Sequence, residues 1–395
     1  MKIALAHKRL DLKGGTEKDF YRTAEGLRDL GHEVHLFCSE FGVEPPRDTV
    51  AHRVPVLPFG RTARLWSFAL LAPRIIGKWH CEVLVSFGRM LRADIVRSGG
   101  GSHRGFLERI GAQGRLGRRL WQRLSPYHQS VLAIERRQFQ PRGFKRIIAV
   151  SEEVKRDLVR QYAVPRERIA VLYNGVDQSR FHPSLRDRFR AQVRARWQIP
   201  QASPLVLFVG NGFRRKGLDI LLSVWSAPAL SQAYLLVVGD DARFSAYKAR
   251  ARSVAGERIV FAGRQQDVEN YYAAADVVAL PSFQEAFGNV VLESLAVGLP
   301  VLVSRQAGAA ELLTGNLVNG IVDRLDDREE LVEKLVKLLD RCADPSLAAE
   351  ARALGERFSW ERHLLELEAL LLEVGKVEPQ GQARGTFQSA RGAES

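Results

Sequence analysis

The amino-acid sequence predicts an α/β fold made of two doubly wound domains, in which helices cover both faces of each parallel sheet. The first observation is size, because 395 residues exceed one ordinary core and suit two domains of roughly 150 to 200 residues each. The second is the alternation of short apolar runs with amphipathic stretches, which is typical of parallel sheets. The third is that this alternation starts again after Pro200. A composition of 46% hydrophobic and 26% charged residues agrees with two globular cores.

The first forty residues predict a strand, a helix and a second strand. Residues 2–7 form a short apolar run, and a loop with two glycines follows it. We expect the helix to begin at Thr16, with Asp19 as a capping-box-like partner, and to end at Gly31. The other strands predicted in this half are residues 33–38, 82–87 and 146–150.

The second half predicts another parallel sheet with helices between its strands. We interpret residues 174–203, which place Gly and Pro around a polar helix, as the linker between the two series. Predicted strands are residues 204–209, 234–238, 258–261, 276–280, 300–303 and 320–323, and predicted helices are residues 218–225, 268–275, 289–297 and 328–340.

The chain therefore divides into four predicted parts. Residues 1–180 form an N-terminal domain, and residues 181–357 form a C-terminal domain. A last helix occupies residues 358–375. Residues 376–395 are rich in Gly, Gln, Ser and Ala, which predicts a disordered tail.

Positive charge is concentrated in the first half of the chain. The formal net charge is +14, but residues 1–200 hold 38 lysines and arginines against 19 acidic residues, whereas residues 201–395 hold 21 against 26. A basic segment, residues 104–146, carries eleven of the cations, and apolar residues between them give it an amphipathic character. Such a segment attracts a polyanion: nucleic acid, an anionic membrane surface or a phosphorylated glycolipid. The eleven cations are Arg104, Arg109, Arg115, Arg118, Arg119, Arg123, Arg136, Arg137, Arg142, Lys145 and Arg146.

Targeting and redox signals favour a cytosolic protein. The apolar run at residues 1–6 ends in His-Lys-Arg, which is too short for a signal peptide. The longest later apolar stretch, residues 65–76, is interrupted by Pro73 and Arg74 and is shorter than the ~20 residues that span a bilayer. Three cysteines with no metal-ligand spacing are expected to be reduced thiols.

Two loops of the second half follow predicted strands and precede predicted helices, where open α/β sheets bind their ligands. The first, residues 210–217, has the sequence Gly-Asn-Gly-Phe-Arg-Arg-Lys-Gly. Its glycines let the backbone approach a ligand, and Arg215 and Lys216 supply paired positive charge for a diphosphate. The alternative interpretation is a solvated basic turn.

The second loop, residues 283–288, leads into a helix that we expect to begin at Gly288 and Asn289. Free backbone N–H groups and the positive end of the helix dipole can receive a phosphate there. Glu293, about one turn into the helix, is suited to accept hydrogen bonds from ribose hydroxyls. Glu285 precedes the helix and can reach further into a cleft.

These motifs together resemble the retaining glycosyltransferases of family 4, from Met1 to about residue 374. Within the family, the resemblance is greatest to lipopolysaccharide core glucosyltransferases of the inner-core, heptose-glucosylating type. The motifs are Glu285-x7-Glu293 with Phe287-Gly288 inside it, Arg215-Lys216-Gly217, Gly14-Gly15, and Asn174-Gly175-Val176-Asp177 followed by Phe181.

The resemblance implies a GT-B fold: two facing Rossmann-like domains, with a C-terminal helix that crosses back to the N-terminal domain. The N-terminal domain would bind the acceptor and the C-terminal domain the nucleotide sugar, with no metal and no cofactor. Arg215 and Lys216 would bind the donor diphosphate, Glu293 the ribose and Glu285 the sugar hydroxyls. Further implied donor contacts are the Gly15 backbone, Arg264, Gly288, Asn289 and Val290.

The chain departs from the resemblance at residues 97–103. The lipopolysaccharide enzymes commonly place an aspartate near here, whereas this chain has Arg-Ser-Gly-Gly-Gly-Ser-His. Family 4 enzymes often have a histidine here against the donor sugar, so His103 is the candidate for a catalytic or acceptor-side role, with Asp19 a second acceptor-side candidate. The acceptor and the general base stay open.

The predicted function is retaining transfer of a hexose, first of all glucose, from a UDP-sugar to a lipopolysaccharide inner-core acceptor. Expected partners are the nucleotide-diphosphate sugar, a phosphorylated glycolipid and the anionic inner face of the cytoplasmic membrane, without nucleic acid. The alternative within the family is a transferase that uses GDP-mannose or UDP-N-acetylglucosamine. A nicotinamide oxidoreductase is disfavoured, because this chain has no G-x-G-x-x-G after its first strand. A nucleic-acid-binding protein is disfavoured, because aromatic residues are not interleaved with the cations of this chain in a stacking pattern.

Overall fold

A computed structural model describes residues 1–12, 14–112 and 125–376 of the chain. Four arginines of the basic segment and the predicted tail after residue 376 lie outside the described residues. The four are Arg115, Arg118, Arg119 and Arg123.

The N-terminal half contains a seven-stranded parallel sheet in the spatial order β5-β3-β1-β6-β7-β8-β9, and a separate pair, β2 and β4. In chain order its elements are β1 (Lys2–Ala6), β2 (Arg9–Leu10), α1 (Gly15–Asp29), β3 (Glu33–Cys38), β4 (Glu40–Phe41), β5 (Val50–Arg53), α2 (Gly60–Ile76), β6 (Val83–Ser86), β7 (Ile95–Ser98), α3 (His103–Ala112), α4 (Pro126–Gln138), β8 (Arg146–Ala149), α5 (Glu152–Tyr162) and β9 (Ile169–Val171).

The C-terminal half contains a six-stranded parallel sheet in the order β12-β11-β10-β13-β14-β15. Its elements, with the last helix, are α6 (Leu185–Arg196), β10 (Leu205–Val209), α7 (Phe213–Lys216), α8 (Leu218–Val224), β11 (Tyr234–Val238), α9 (Phe244–Ala255), β12 (Ile259–Gly263), α10 (Val268–Ala274), β13 (Val277–Leu280), α11 (Asn289–Ala296), β14 (Val301–Ser304), β15 (Ile321–Val322), α12 (Arg328–Asp340), α13 (Pro345–Glu356) and α14 (Trp360–Lys376).

Both sheets are buried on both faces, as alternating strand side chains show. In β1, Ile3 and Leu5 join one hydrophobic cluster with α1 and α14, whereas Ala4 and Ala6 join another with α2. The strands of parallel sheets therefore read as continuous apolar runs, since neither face is left to water. The predicted α/β class with two Rossmann-like domains is confirmed.

The last helix crosses back to the N-terminal domain, as the resemblance implies. Leu367, Leu371 and Val374 of α14 belong to the core of the first sheet. Leu364 packs so closely on α1 that a Cβ added to Gly26 would lie 2.1 Å from its Cδ1. A larger residue than glycine would push the helix away.

The chain passes between the two domains twice, and the two passages are hydrogen-bonded to each other. The Val176 N–H donates to the Phe358 carbonyl at 2.9 Å, and the Trp360 N–H donates to the Val176 carbonyl at 3.0 Å. Gly175 lies against this ladder, where an added Cβ would be 2.6 Å from the Trp360 Cα. Through these contacts, the two chain segments form a single connection between the domains.

The predicted linker contains a helix that is an integral part of the C-terminal domain. Helix α6 packs along α10, and its arginines at four-residue spacing, Arg186, Arg190 and Arg194, all contact the buried Asp276 carboxylate at 2.8–3.0 Å. They also donate to the Ala274 and Ala275 carbonyls at the end of α10. Treating the whole of residues 174–203 as a linker was wrong, because its polar side chains have buried partners distant in sequence.

Two further predictions about the first half were also wrong. Helix α1 begins at Gly15, with Gly14 as N-cap and no side-chain cap. Asp19 is therefore not a capping-box partner, and its carboxylate lies 3.2 Å from Arg97. Strands β7 and β9 were not predicted, because runs of four and three residues, one of them with Arg97, are too short for a periodic signal.

We expect Asp276→Ala to lower the free energy of unfolding by about 3–5 kcal/mol, because it leaves three guanidinium groups without their counter-charge. Urea unfolding followed by tryptophan fluorescence measures this change. The matched control is Asp323→Ala, whose partner Arg305 is largely exposed, for which we expect less than about 1 kcal/mol. Equal losses in the two variants would contradict a structural role for the arginine row.

Candidate functional site

The candidate site lies at the carboxyl edge of the second sheet. Strand β10 lies between β11 and β13, so the loops that follow these three strands emerge side by side. The loop after β10 contains the short helix α7, and the loop after β13 leads into α11. The sequence-predicted site residues of this domain occupy these neighbouring loops.

Two glycines allow the loop after β10 to fold tightly. Gly210 has φ +153°, and a Cβ there would lie 2.1 Å from Cδ of Lys216, so the lysine stem crosses directly over it. Gly217 has φ +85°, and its added Cβ would be 1.9 Å from the Pro281 carbonyl oxygen. Glycine is therefore required at both positions, and the loops after β10 and β13 are packed together.

The paired cations converge on one carboxylate. Arg215 Nη1 and Lys216 Nζ each lie 3.0 Å from Oε2 of Glu285. Arg215 also donates to the Gln284 carbonyl at 3.1 Å. Burial tends to raise the pKa of the Glu285 carboxyl, but Lys216 and Arg215 outweigh it and hold that pKa below its ordinary value. The cluster is an ionised acid between two cations, with an excess of positive charge.

The N-terminus of helix α11 lies beside this cluster, because a Cβ added to Gly288 would be 3.3 Å from Cγ of Glu285. The helix begins at Asn289 after the N-cap Gly288, which has φ +103°. Val290, the second residue of the helix, is buried. The first N–H groups of a helix lack internal acceptors and carry a partial positive charge. The cationic loop and the helix end can thus bind an anion such as a diphosphate together.

Glu293 lies where the two domains meet. The Tyr272 hydroxyl donates a hydrogen bond to its carboxylate. Burial raises the pKa of Glu293, although this hydrogen bond and the charges of Lys18 and Arg180 oppose the rise. Lys18 comes from α1 of the N-terminal domain, so a hydroxyl bound by Glu293 would sit beside both domains.

Arg264 lies at the same edge, after β12. Its Nε is 3.2 Å from Oδ2 of Asp240, and its side chain is largely exposed. The Asp240 N–H donates to the Asn211 side chain, which ties Arg264 to the loop after β10. Asp241 accepts from the Phe213 N–H at 2.9 Å, so the adjacent acids organise a loop.

The N-terminal domain contributes the start of α1. Space is open around Gly15, where an added Cβ would meet no atom within 4 Å. Glu17, two residues further on, lies 3.6 Å from His7, and the nearby imidazole holds the pKa of Glu17 below its ordinary value. The exposed backbone at Gly15 leaves room for a ligand group.

The structure does not join His103 to the acid–cation cluster. His103 begins α3, its Nε2 is 2.9 Å from His128 Nδ1, and its backbone N–H donates to the Glu135 carboxylate. Burial, with the charges of Arg89 and His128, lowers the pKa of His103 to about 4. Its hydrogen bonds within the described residues are all made to the N-terminal domain.

Sequence reasoning missed Arg97 as a site residue. This arginine at the end of β7 is buried, and its Nη2 donates to Asp19 at 3.2 Å and to Asn174 at 2.8 Å. The Asn174 amide in turn donates to the Asn289 side chain at 2.7 Å. Asp19 and Asn289, both predicted as ligand contacts, are therefore linked through Arg97 and Asn174, and Asn289 also interacts directly with the Asp19 carboxylate.

Two other contacts hold the Glu285 loop from the N-terminal domain. The Ser151 hydroxyl donates to the Ala286 carbonyl at 2.7 Å. With the Gln284 amide oriented so that its oxygen faces α3, that oxygen accepts from Arg109 Nη2 at 3.0 Å. Sequence carries no signal for these contacts, which join residues over a hundred positions apart.

Within the described ranges, no group of three or more His, Cys, Asp or Glu side chains is placed to hold a metal ion. In that same part of the chain, no helix combines the length and apolar character needed to cross a bilayer.

Comparison with known proteins gives matches over both halves. A family model described as Glycosyltransferase Family 4 matches residues 13–180, and one described as Glycosyl transferases group 1 matches residues 203–341. Lipopolysaccharide glucosyltransferase WaaG of Escherichia coli (strain K12) is 26% identical over 331 residues, covering 82% of this chain and 86% of the relative. A probable transglycosylase of Burkholderia thailandensis is 30% identical over 322 residues, covering 79% and 80%.

A second group of relatives matches over a shorter length. D-inositol 3-phosphate glycosyltransferase of Salinispora tropica is 32% identical over 239 residues, or 56% of this chain. The chain spans about half, 49%, of the length of that relative.

Solved structures show the same fold at low identity. The crystal structure of WaaG has a TM-score of 0.77 and 23% identity, covering 93% of this chain and 99% of the other. Anabaena Alr3699/HepE in complex with UDP-glucose has a TM-score of 0.67 and 19% identity, covering 94% and 100%. At these identities the likeness shows the fold alone.

We expect His103 to be neutral at pH 7 and to titrate near pH 4, because its charged form is buried beside other cations. Nitrogen-15 NMR of the imidazole rings measures the midpoint. Since the unfolded chain binds this proton at about 6.5, stability should be lost as the pH falls from about 6.5 to about 4. His103→Gln should lessen that loss, and a midpoint near 6.5 would refute the buried environment.

Proposed function

The chain belongs to glycosyltransferase family 4, and from that premise we propose that it transfers a hexose from a UDP-sugar to a phosphorylated glycolipid with retained configuration. The observation that carries the proposal is the convergence of Arg215, Lys216 and Glu285 beside the N-terminus of α11. Two cations and a helix end at the carboxyl edge of a parallel sheet suit a diphosphate.

On the donor side, each group has a distinct role. Arg215 and Lys216, with the N–H groups of residues 288–290, bind the diphosphate, and the Gly15 backbone approaches it from the other domain. Glu293 accepts from the ribose, and Arg264 contacts the base or the sugar. Both cations contact Oε2 of Glu285, and we assign Oε1 to hydroxyls of the donor sugar.

Catalysis in this proposal is stabilisation of the leaving group. Negative charge grows on the diphosphate as its bond to the sugar breaks, and the cations and helix end are already placed to receive it. Glu285 is a poor covalent nucleophile, because its carboxylate is held by two cations. We therefore propose front-face attack, in which the acceptor oxygen approaches on the side of the departing diphosphate. Trapping of a covalent glycosyl-enzyme would contradict it.

Glucose is the proposed sugar and lipopolysaccharide inner core the proposed acceptor. Support comes from WaaG, named a lipopolysaccharide glucosyltransferase, and from the structural neighbour Anabaena Alr3699/HepE, which was solved in complex with UDP-glucose. The second candidate is another donor, GDP-mannose or UDP-N-acetylglucosamine, with a different glycolipid or polysaccharide. The D-inositol 3-phosphate glycosyltransferases among the relatives support this second candidate, because the acceptor in their name is not lipopolysaccharide.

We also propose that the N-terminal domain docks peripherally on the inner face of the cytoplasmic membrane. Several cations of the basic segment have acidic partners, for example Lys145 with Asp94 and Arg146 with Glu373. Other cations of the segment have no acidic partner among the described residues. Arg137, for example, lies over the Trp66 ring.

Helices α2 and α4 pack side by side and form the docking face. Arg61 of α2 stacks on Tyr127 of α4 at 4.4 Å, and Arg64 lies one turn further along α2. Just before α2, Phe59 is 79% exposed and Leu57 54% exposed. Exposed apolar side chains beside cations are typical of surfaces that enter an anionic lipid interface.

The donor assignment is tested by nucleotide release from UDP-glucose, UDP-N-acetylglucosamine and GDP-mannose. We expect UDP-glucose to be the best of the three donors. Lys216→Ala or Arg215→Ala should lower turnover by ~100-fold or more, because each variant removes a preorganised cation that stabilises the leaving diphosphate. The control is Arg214→Ala, in the same short helix but lining a separate concavity with Tyr247. Near-normal rates in both test variants would defeat the assignment.

Docking is tested by flotation with phosphatidylglycerol-containing vesicles at low and high salt. We expect binding at low salt that weakens at high salt, and a loss of about 30-fold in partitioning for Arg61→Gln/Arg64→Gln, at about 1 kcal/mol for each charge. Phe59→Ser should also weaken it. Val318→Ser, at an exposed apolar residue of the other domain, is the control. Absence of binding at low salt would exclude the membrane proposal.

A further inference from the structure

Arg97 stands at the junction of several segments of the fold. It is the third residue of β7, its guanidinium lies 5.2 Å from the Phe87 ring centroid, and its side chain is only 2% exposed. Its partners come from α1 (Asp19) and from the passage between domains (Asn174). One buried group thus connects the first helix of the chain to the interdomain joint.

The connection continues into the C-terminal domain. Asn174 receives its hydrogen bond from Arg97 through its side-chain oxygen, which directs its amide group toward the Asn289 oxygen, 2.7 Å away. Asn289 is the first residue of α11, the helix whose N-terminus faces the cation pair. Arg97 therefore orients the Asn174 side chain, which contacts the first residue of α11.

We propose that Arg97 is a positioning residue that aligns the N-terminus of α11 with the N-terminal half of the active site, acting through Asn174. This inference rests on the proposed function, since it describes how the same site is assembled. Arg97 acts through other residues and is not a catalytic group.

The hydrogen bonding of Arg97 differs from that of a purely structural arginine in the same chain. Arg194 is equally buried, and its Nε, Nη1 and Nη2 all donate, to Ala274, to the carbonyls of residues 200, 201 and 203, and to Asp276. Arg97 uses Nη2, whereas its Nη1 is buried without a hydrogen-bond partner among the described residues. A buried orphan donor is unusual in a group retained for stability alone.

The glycine-rich loop after β7 leaves room for the guanidinium in this orientation. A Cβ added to Gly99 would lie 3.2 Å from Arg97 Nη1, which is tighter than an ordinary contact. Asp19, itself buried, supplies the counter-charge, and although burial raises its pKa, Arg97 favours its ionised form. Within residues 97–103, the segment that departs from the resemblance, the small residues after Arg97 therefore leave space for its guanidinium.

The expected kinetic signature follows from which parts move together. The cation pair, Glu285 and α11 all belong to the C-terminal domain, so donor affinity should survive a change at Arg97. The alignment of these C-terminal groups with Gly15 and Lys18 of the other domain should be lost when Arg97 is changed. We expect Arg97→Gln to lower kcat for UDP-glucose turnover about 10- to 100-fold, with KM and the Kd for UDP within about threefold of wild type.

A double variant tests whether the effect passes through α11. If Arg97 acts through Asn174 and Asn289, the losses in kcat for Arg97→Gln and Asn289→Ala should not multiply, and the double variant should be about as slow as the slower single one. Arg97→Lys, which keeps a cation beside Asp19 but lacks the planar fork, gives the same test where the glutamine variant folds poorly. Arg194→Lys is the control, with lowered stability but normal kcat for each folded molecule.

The outcomes separate this inference from the proposed function. Absence of nucleotide release by the wild-type protein from all three nucleotide sugars would overturn both. Wild-type turnover with unchanged kcat in folded Arg97→Gln and Arg97→Lys, or with losses that multiply in the double variant, would overturn the positioning role and leave the transferase assignment intact.

Discussion

The hydrogen bond between Asn174 and Asn289 crosses from one domain to the other, and in our proposal the alignment of α11 with the N-terminal domain depends on it. A parallel sheet can gather ligand-binding loops at its carboxyl edge without help. A site shared by two sheets needs, in addition, a fixed distance and angle between their edges. Here a buried ion pair, Asp19 with Arg97, orients the asparagine that spans the gap. Polar contacts of defined direction therefore orient the two edges of the cleft relative to each other, while apolar packing fills the rest of the interface.

Charged residues also make specific contacts elsewhere in the molecule. The first half of the sequence has a large excess of cations, yet many of them have specific acidic partners in the fold. Three arginines of α6 lie outside the first sheet altogether, and they neutralise Asp276 and the negative end of α10. Within the described part of the chain, the cations of α2 and α4 that have no acidic partner are fewer than the sequence total and more localised. Location in the fold, more than the count of cations, decides which surface attracts anions.

The sequence alone was sufficient for the α/β class, the two series and the loops at the carboxyl edge of the second sheet. Apolar strands of four or five residues followed by glycine and charge, as at residues 205–217, are local signals that need no tertiary information. Arg97 could not be recognised, because its role depends on partners almost eighty residues away in either direction. The same reason hid the packing of α6, which the sequence indicated only as a polar helix within a linker. Boundaries at residues 180 and 357 remain predictions, as do the roles of individual site residues.

The ladder that joins Val176 to Phe358 and Trp360 restricts how the molecule can open. Two chain passages that ran separately would allow the domains to slide, twist or part. Passages that are hydrogen-bonded to each other cannot shift independently without breaking those bonds, so a displacement of either passage carries the other with it.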